Sequence, residues 1–440
     1  MKKRSKAGTL LQMLKLVEPL KKHMVLAVCC GSLAYLAVQF IPILGGYAIL
    51  SGLGQSAFPL GLIWTLLIFF ALIRAVLRYI EQKTNHYIAF TLLAIIRDHV
   101  FQALRRLSPA KLEGRDKGDL INLITSDVEL LEVFYAHTIS PICIAIVVEL
   151  VMTVFISLYH YEMGMLAFFA YLCVGILLPL IISKHTKDTG DQIRHQAGDL
   201  ASYVLENIRG IDETAQYQNG SERMKGMNEK TDRLIQNQGK LSHLTGFNLA
   251  LTNTFILVFD IGMLLVATSL YNKGEVGLSG FVIPVIAMMS SFGPVVALAN
   301  LGTTLQSTIA SASRVLDILE ETPETEDIVG KETKAFEGAE CQNVTFSYGG
   351  QEVLLNYSMT FEKNKITGIV GKSGCGKSTL LKLLMRFWEV NKGSIQISNT
   401  DIRNINTANL RDMESYMTQE TQLFKDTIAN NIRIAKLDAT

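Results

Sequence analysis

Six stretches of this chain are each long enough to cross a bilayer and nearly free of charge: roughly 24–50, 58–80, 139–159, 163–183, 244–270 and 278–300. A spanning helix needs about 20 mostly apolar residues, and lipid accepts only backbone whose polar groups are satisfied within the protein. A single run of this kind also suits a buried soluble helix. Six with this spacing predict a six-span helical membrane domain. The composition agrees: 49% of residues are hydrophobic and 18% charged, with 41 Lys+Arg against 40 Asp+Glu. That balance leaves no basic field for nucleic acid.

The charge sits in blocks between the runs, and the blocks orient the spans. Residues 1–23, 81–127 and 184–240 are rich in Lys and Arg, including Arg97, Arg105, Arg106, Lys111, Arg115 and Lys117. The loops 51–57 and 160–162 carry no Lys or Arg, and 271–277 has only Lys273. The positive-inside rule puts both termini and both long loops in the cytoplasm. Pro19, Lys21 and Lys22 separate the basic head from the first span, so that span reads as an uncleaved anchor. The stretch 10–20 reads as a short amphipathic helix on the cytoplasmic surface.

The long loops keep a helical period. From 58 to 107 only Pro59 interrupts, so the second span should run far beyond the bilayer. The fourth and fifth should do the same across 184–240. Arg74 and Arg78 lie near the cytoplasmic end of the second span, where they can snorkel. Glu149 and Asp260 fall near the middle of their spans, where an acid is costly. They are candidates for a transport path, with a structural hydrogen-bonding role as the alternative. The six cysteines form no CxxC or Cys/His cluster, so neither a metal site nor a disulfide framework is expected.

After a stalk-like helix over 301–321 and an acidic, Pro323-containing linker, the texture changes to short strands and turns. Residues 341–348 alternate as a strand, and 365–370 form a short apolar strand. Then comes Gly371-Lys372-Ser373-Gly374-Cys375-Gly376-Lys377-Ser378-Thr379. This is the G-x-x-x-x-G-K-[ST] phosphate loop. Its glycines let backbone N–H groups wrap a phosphate, Lys377 supplies a cation, and Ser378 offers a hydroxyl to Mg²⁺. A helix over about 377–388 would aim its N-terminus at the anion. Tyr348 is placed to stack on adenine. Gln419, after the strand-like 414–418, is placed to reach Mg²⁺ and the attacking water.

These strings together resemble the ATP-binding cassette (ABC) exporters. Gly118-Asp119-Leu120 with Thr125-Ser126-Asp127 is similar to that family's first cytoplasmic loop, and Ala312-Ser313-Arg314-Val315 to its stalk. Val344-Thr345-Phe346-Ser347-Tyr348 is similar to its adenine-stacking strand, and Thr418-Gln419-Glu420 through Leu423-Phe424 to its Q-loop. The resemblance implies a membrane domain of six long helices followed by an α/β P-loop domain, with ATP and Mg as cofactors. It implies a half-transporter that pairs with a second one, as homo- or heterodimer, in the plasma membrane. Its cargo would be a small molecule, lipid or peptide. Segments near 107–120 and 208–220 would couple the two parts.

The expected domains are an N-terminal amphipathic segment (1–23), the membrane domain (24–318), a linker (319–338) and the nucleotide domain (339–440). The family next supplies a Leu-Ser-Gly-Gly-Gln signature, an Mg-binding Asp, a catalytic Glu and a switch His, none of which precedes Thr440. The sequence therefore leads to the expectation of a domain truncated after the Q-loop region, with no catalytic residue in the chain. On that reading the alternatives to an exporter subunit are a nucleotide-binding membrane regulator and an inert fragment.

Overall fold

The computed structural model describes residues 6–55, 58–115, 117–299, 302–418, 422–436 and 438–439. The chain divides into two compact units. One joins Met1–Val100 to Lys117–Leu319, and the other joins Phe101–Asp116 to Glu320–Thr440.

In the first unit six helices are long and apolar enough to cross a membrane: Glu18–Gly52, Leu60–Leu107, Gly118–Ser157, Tyr161–Ile181, Gly220–Asn272 and Leu278–Leu298. The apolar runs in the sequence understate them, because helix continues past the hydrocarbon-length segment. The second helix has 48 residues, about 70 Å at 1.5 Å per residue. The fifth has 53 residues. The fourth is prolonged by the helix Leu178–Arg209, and the two extensions run side by side. Asn237 Nδ2 donates to Gln196 Oε1 at 3.0 Å, and Tyr203 hydroxyl donates to Arg223 O at 3.2 Å. A short helix, Ile211–Gln216, closes their far end.

The core of this unit gathers Ile43, Ile144, Val148, Met152, Met163, Tyr171, Met263, Ile283 and Phe292 from five of the spans. The first span approaches the third at Gly31, where a Cβ would lie 2.3 Å from Ile144 Cδ1. Small residues at such crossings let helix backbones close up without a hydrophobic driving force. The second and fifth spans are the least covered by the rest of the chain: only 6% and 11% of their most apolar windows are buried.

The N-terminal helix is Lys6–Lys15 and stops before Pro19, which starts a 3₁₀ turn over Glu18–Leu20. It is not a free surface helix. Met13, Val17 and Leu20 are buried, and the Tyr135 hydroxyl donates to Met13 O at 3.2 Å. Arg78 does not simply snorkel. It pairs with the buried Glu81 at 2.8 Å and lies over the Tyr35 ring. The loop-like and stalk-like strings meet: Arg314 pairs with Asp119 and, at 3.3 Å, with Asp127, and Ser311 hydroxyl donates to Asp127 Oδ1 at 2.8 Å.

The second unit holds one four-stranded antiparallel sheet among the described residues. Its strands are β1 (Gly338–Tyr348), β2 (Gln351–Glu362), β3 (Lys392–Ile397) and β4 (Thr400–Asp401), in the order β2-β1-β3-β4. Cys341, Val344, Phe346, Leu380, Leu383, Trp388, Ile395 and Ile397 form its core, and Ala110 packs against it. The stretch 320–338 is bound along its length rather than free. Lys331 N donates to Asn406 Oδ1 and Lys334 N to Asn409 Oδ1, each at 2.7 Å.

Two sequence-based strands are corrected. Neither 365–370 nor 414–418 joins a ladder among the described residues. Ile366 and Val370 are fully open to solvent. An apolar run makes a central parallel strand only where neighbours cover both faces, and the antiparallel sheet reaches neither segment.

Candidate functional site

The phosphate loop leads from the open segment 365–370 into the helix Lys377–Leu384. That helix is shorter than the expected 377–388. Met385 caps it, and Arg386 turns left-handed at φ 50°, which swings Trp388 into the core. Gly374 and Gly376 have φ of 81° and 93°, a region that favours glycine. Gly371 is needed for space, since a Cβ there would lie 2.6 Å from Cys375 Sγ.

Gly376 stands at the N-cap and no side chain caps the helix. Its first N–H groups therefore lack a side-chain acceptor, which is the usual requirement for anion binding at a helix N-terminus. Lys377 Nζ donates to Gly371 O at 2.9 Å and to Lys372 O at 2.8 Å, so the ammonium is held across the mouth of the loop. Lys372, Ser373, Gly374, Cys375 and Ser378 are all exposed around it. A cradle of positive-φ glycines, an uncapped helix and a tethered ammonium fit a polyphosphate. The exposed Ser378 hydroxyl fits a ligand to its Mg²⁺. Gln419 lies outside the described residues.

Thr379 is buried behind the loop and connects it to the sheet. The Tyr348 hydroxyl, at the end of β1, donates to Thr379 Oγ1 at 3.4 Å. The Tyr348 ring stands edge-on to Phe346 and Trp388, with centroids at 4.7 and 5.5 Å. The residue is 39% exposed, and an exposed aromatic ring is a surface on which a flat base can stack.

Phe101–Asp116 adds contacts that the sequence did not disclose. Glu113 pairs with Lys382 on the phosphate-loop helix. Lys111 pairs with Glu324 at 2.8 Å, and Arg115 with Glu321 at 2.7 Å. Spacing alone carries no sign of these pairs, because the partners are more than 200 residues apart. In the membrane unit Glu149 is buried and Asp260 half-buried. Glu149 and Tyr171 line one cavity of that unit.

Comparison with known proteins matches residues 24–301 to the ABC transporter transmembrane region and residues 354–439 to the ABC transporter nucleotide-binding family. A probable ABC transporter ATP-binding/permease protein of Haemophilus influenzae is 39% identical over 430 residues, covering 97% of this chain and 78% of that protein. The glutathione/L-cysteine transport system ATP-binding/permease protein CydC of Escherichia coli is 29% identical over 380 residues, 83% of this chain and 64% of its own length. The ATP-dependent lipid A-core flippase of Desulfotalea psychrophila is 27% identical over 367 residues, 79% of this chain and 61% of its own length. The chain thus spans less than two thirds of the last two relatives.

These matches correct the expectation of a domain truncated after the Q-loop region. The nucleotide-binding match continues to residue 439, and the fold continues past Gln419 into the helix Ile428–Arg433. What the chain carries is a membrane domain fused to a nucleotide-binding domain that runs on to its last residues.

Proposed function

The chain belongs to the ABC transporters as a multi-pass membrane protein that uses ATP and Mg, and we propose that it serves ATP-driven export of a solute across the plasma membrane as one half of a dimer. The partner is a second half-transporter, of the same or a related chain, and both termini face the cytoplasm. The membrane domain, 24–318, carries the solute, and the nucleotide domain, 339–440, binds ATP.

The observation that supports this reading is the hydrogen bond from Tyr348 to Thr379 at the end of the phosphate loop, whose Lys377 is tethered to Gly371. Tyr348 stacks the adenine, Gly371–Thr379 wraps the phosphates, Lys377 neutralises the outer ones, and Ser378 with Gln419 holds Mg²⁺. Bound Mg²⁺ would offset charge on the phosphate oxygens. The roles assigned to this chain are binding and orientation, and none of its residues is assigned as the base. The charged pairs at Lys111, Glu113 and Arg115 support a coupling role for the end of the second span. The relatives' names point to different cargoes, so the class of solute is taken up from the membrane unit's own chemistry below.

The test uses the full chain in lipid nanodiscs. A fluorescent ATP analogue should bind with an affinity that Lys377→Ala weakens, and MgATP should alter solvent accessibility in the spans. Binding indifferent to Lys377, or spans unaffected by saturating MgATP, would remove the reading.

A further inference from the structure

The geometry points to a second site, in the membrane unit: a pocket in which Glu149 holds the protonated amine of a small hydrophobic molecule. The proposal deepens the carrier reading and relies on it only for why such a molecule would be moved. Glu149 is 7% exposed, and among the described residues neither of its carboxylate oxygens has a hydrogen-bond partner. It lines a cavity of about 200 Å³ between the third, fourth and sixth spans. The wall around it is mainly aliphatic and aromatic, with Ile146, Leu150, Phe168 and Val295, besides Thr153 and Tyr171, and among the described residues no Lys or Arg contributes.

The neighbouring hydroxyls do not serve the carboxylate. Tyr171, on the same wall, shares a hydrogen bond of 2.6 Å with Ser291, whose own hydroxyl donates to Met288 O at 2.8 Å. A buried carboxylate with no donor is expensive, the more so at membrane depth. A ligand in the cavity can supply the donor that the protein does not.

The wall decides what that is. A hard divalent cation seeks six or more oxygens, and here one carboxylate stands among hydrocarbon groups. An ammonium brings N–H donors and a positive charge to Glu149 while its carbon body covers the wall. An apolar cavity of about 150 Å³ accepts benzene, so this one suits a single ring with a short aminoalkyl arm. The cavity opens between Ile146, Leu150 and Ile176, each more than half exposed, so the ring can arrive from an apolar phase. A π-helical turn at Cys173–Leu177 shapes the opposite side. There Gly175 lets the sixth span come close, since a Cβ would meet Val295 Cγ1 at 2.9 Å.

The test compares 2-phenylethylamine with 2-phenylethanol, its neutral counterpart, by calorimetric titration of the full chain in nanodiscs without nucleotide. Empty nanodiscs supply the partition baseline. The amine should bind at least tenfold more tightly than the alcohol, and Glu149→Gln should erase that preference while leaving the alcohol's affinity unchanged. Equal binding of both ligands to the unmutated protein, or an amine preference that survives in Glu149→Gln, overturns the proposal. The ligand comparison needs no variant, so it stands even if Glu149→Gln fails to fold. Because nucleotide is absent, the result is independent of the ATP-driven reading. Amine binding without MgATP-dependent changes in the spans would remove export and keep the site.

Discussion

Lys377 Nζ sits 2.9 Å from the carbonyl oxygen of Gly371, bridging the two ends of the phosphate loop. The ammonium is thereby held in place by backbone that itself surrounds the phosphate position. Lys377→Ala should weaken ATP binding on the order of tenfold or more, as expected for losing charge-assisted bonds of about 1.5–3 kcal/mol. Titration with a fluorescent ATP analogue reads this directly. Unchanged affinity would show that the lysine does not face the nucleotide.

Two cysteines of the nucleotide unit should separate cleanly. Cys375 is exposed inside the phosphate loop, whereas Cys341 is buried and burial, with Glu340 nearby, pushes its thiol up to about 11. A maleimide should label Cys375 and spare Cys341 in the folded protein. Saturating MgATP should suppress the Cys375 reaction. Labelling of Cys375 at one rate with and without MgATP would place it outside the nucleotide's footprint.

Glu414 should give the nucleotide unit a pH dependence. Burial pushes its carboxyl up to about 7, against the partial opposition of Arg411 at 3.7 Å. An acid with a raised folded-state value binds its proton more tightly folded than unfolded. Its contribution to stability is complete below about 4.5, the ordinary value, and is lost as pH climbs through about 7. Unfolding followed by the fluorescence of the buried Trp388, with Trp64 replaced by Phe, should show a midpoint falling across that window. Glu414→Gln should flatten this part of the slope. An identical slope in the variant would assign the titration elsewhere.

Asn409 ties the stretch 320–338 to the unit through both ends of its amide, with Lys334 N at 2.7 Å and Lys334 O at 3.0 Å. Asn409 is 7% exposed, so Asn409→Ala would leave backbone groups without partners. The cost should be about 1–3 kcal/mol. Limited proteolysis should then cut within 325–338 faster than in the unmodified chain. Equal cutting rates would mean the strap is held by other contacts.

The spans and the phosphate loop were legible because each rests on local pattern: run length for the spans, four fixed positions in eight for the loop. Even so, run length stopped at the edge of the apolar composition, and the helices did not. The segments 365–370 and 414–418 show the limit of periodicity. Alternation announces an extended backbone, but a strand also needs a neighbour, which no local pattern names. Asn406 and Asn409 carry no local signal, because their use as straps depends on a stretch 75 positions away. Arg314 and Asp127 belonged to two separately legible strings, while their pairing emerged only from the fold.

The close crossing at Gly31 has a consequence beyond its own contact. The first span is a stiff rod of about 50 Å, 32 of its residues in one helix. It meets the third span at more than one level, since the Phe40 and Phe155 rings stand edge-on at 5.1 Å, so the spacing at Gly31 is shared along a seam. Gly31→Ala adds one carbon where the δ-methyl of Ile144 already sits, so that side chain must turn aside before the helices themselves shift. Whatever shift remains is read at the other end of the seam, where the Tyr47 and Tyr159 hydroxyls meet.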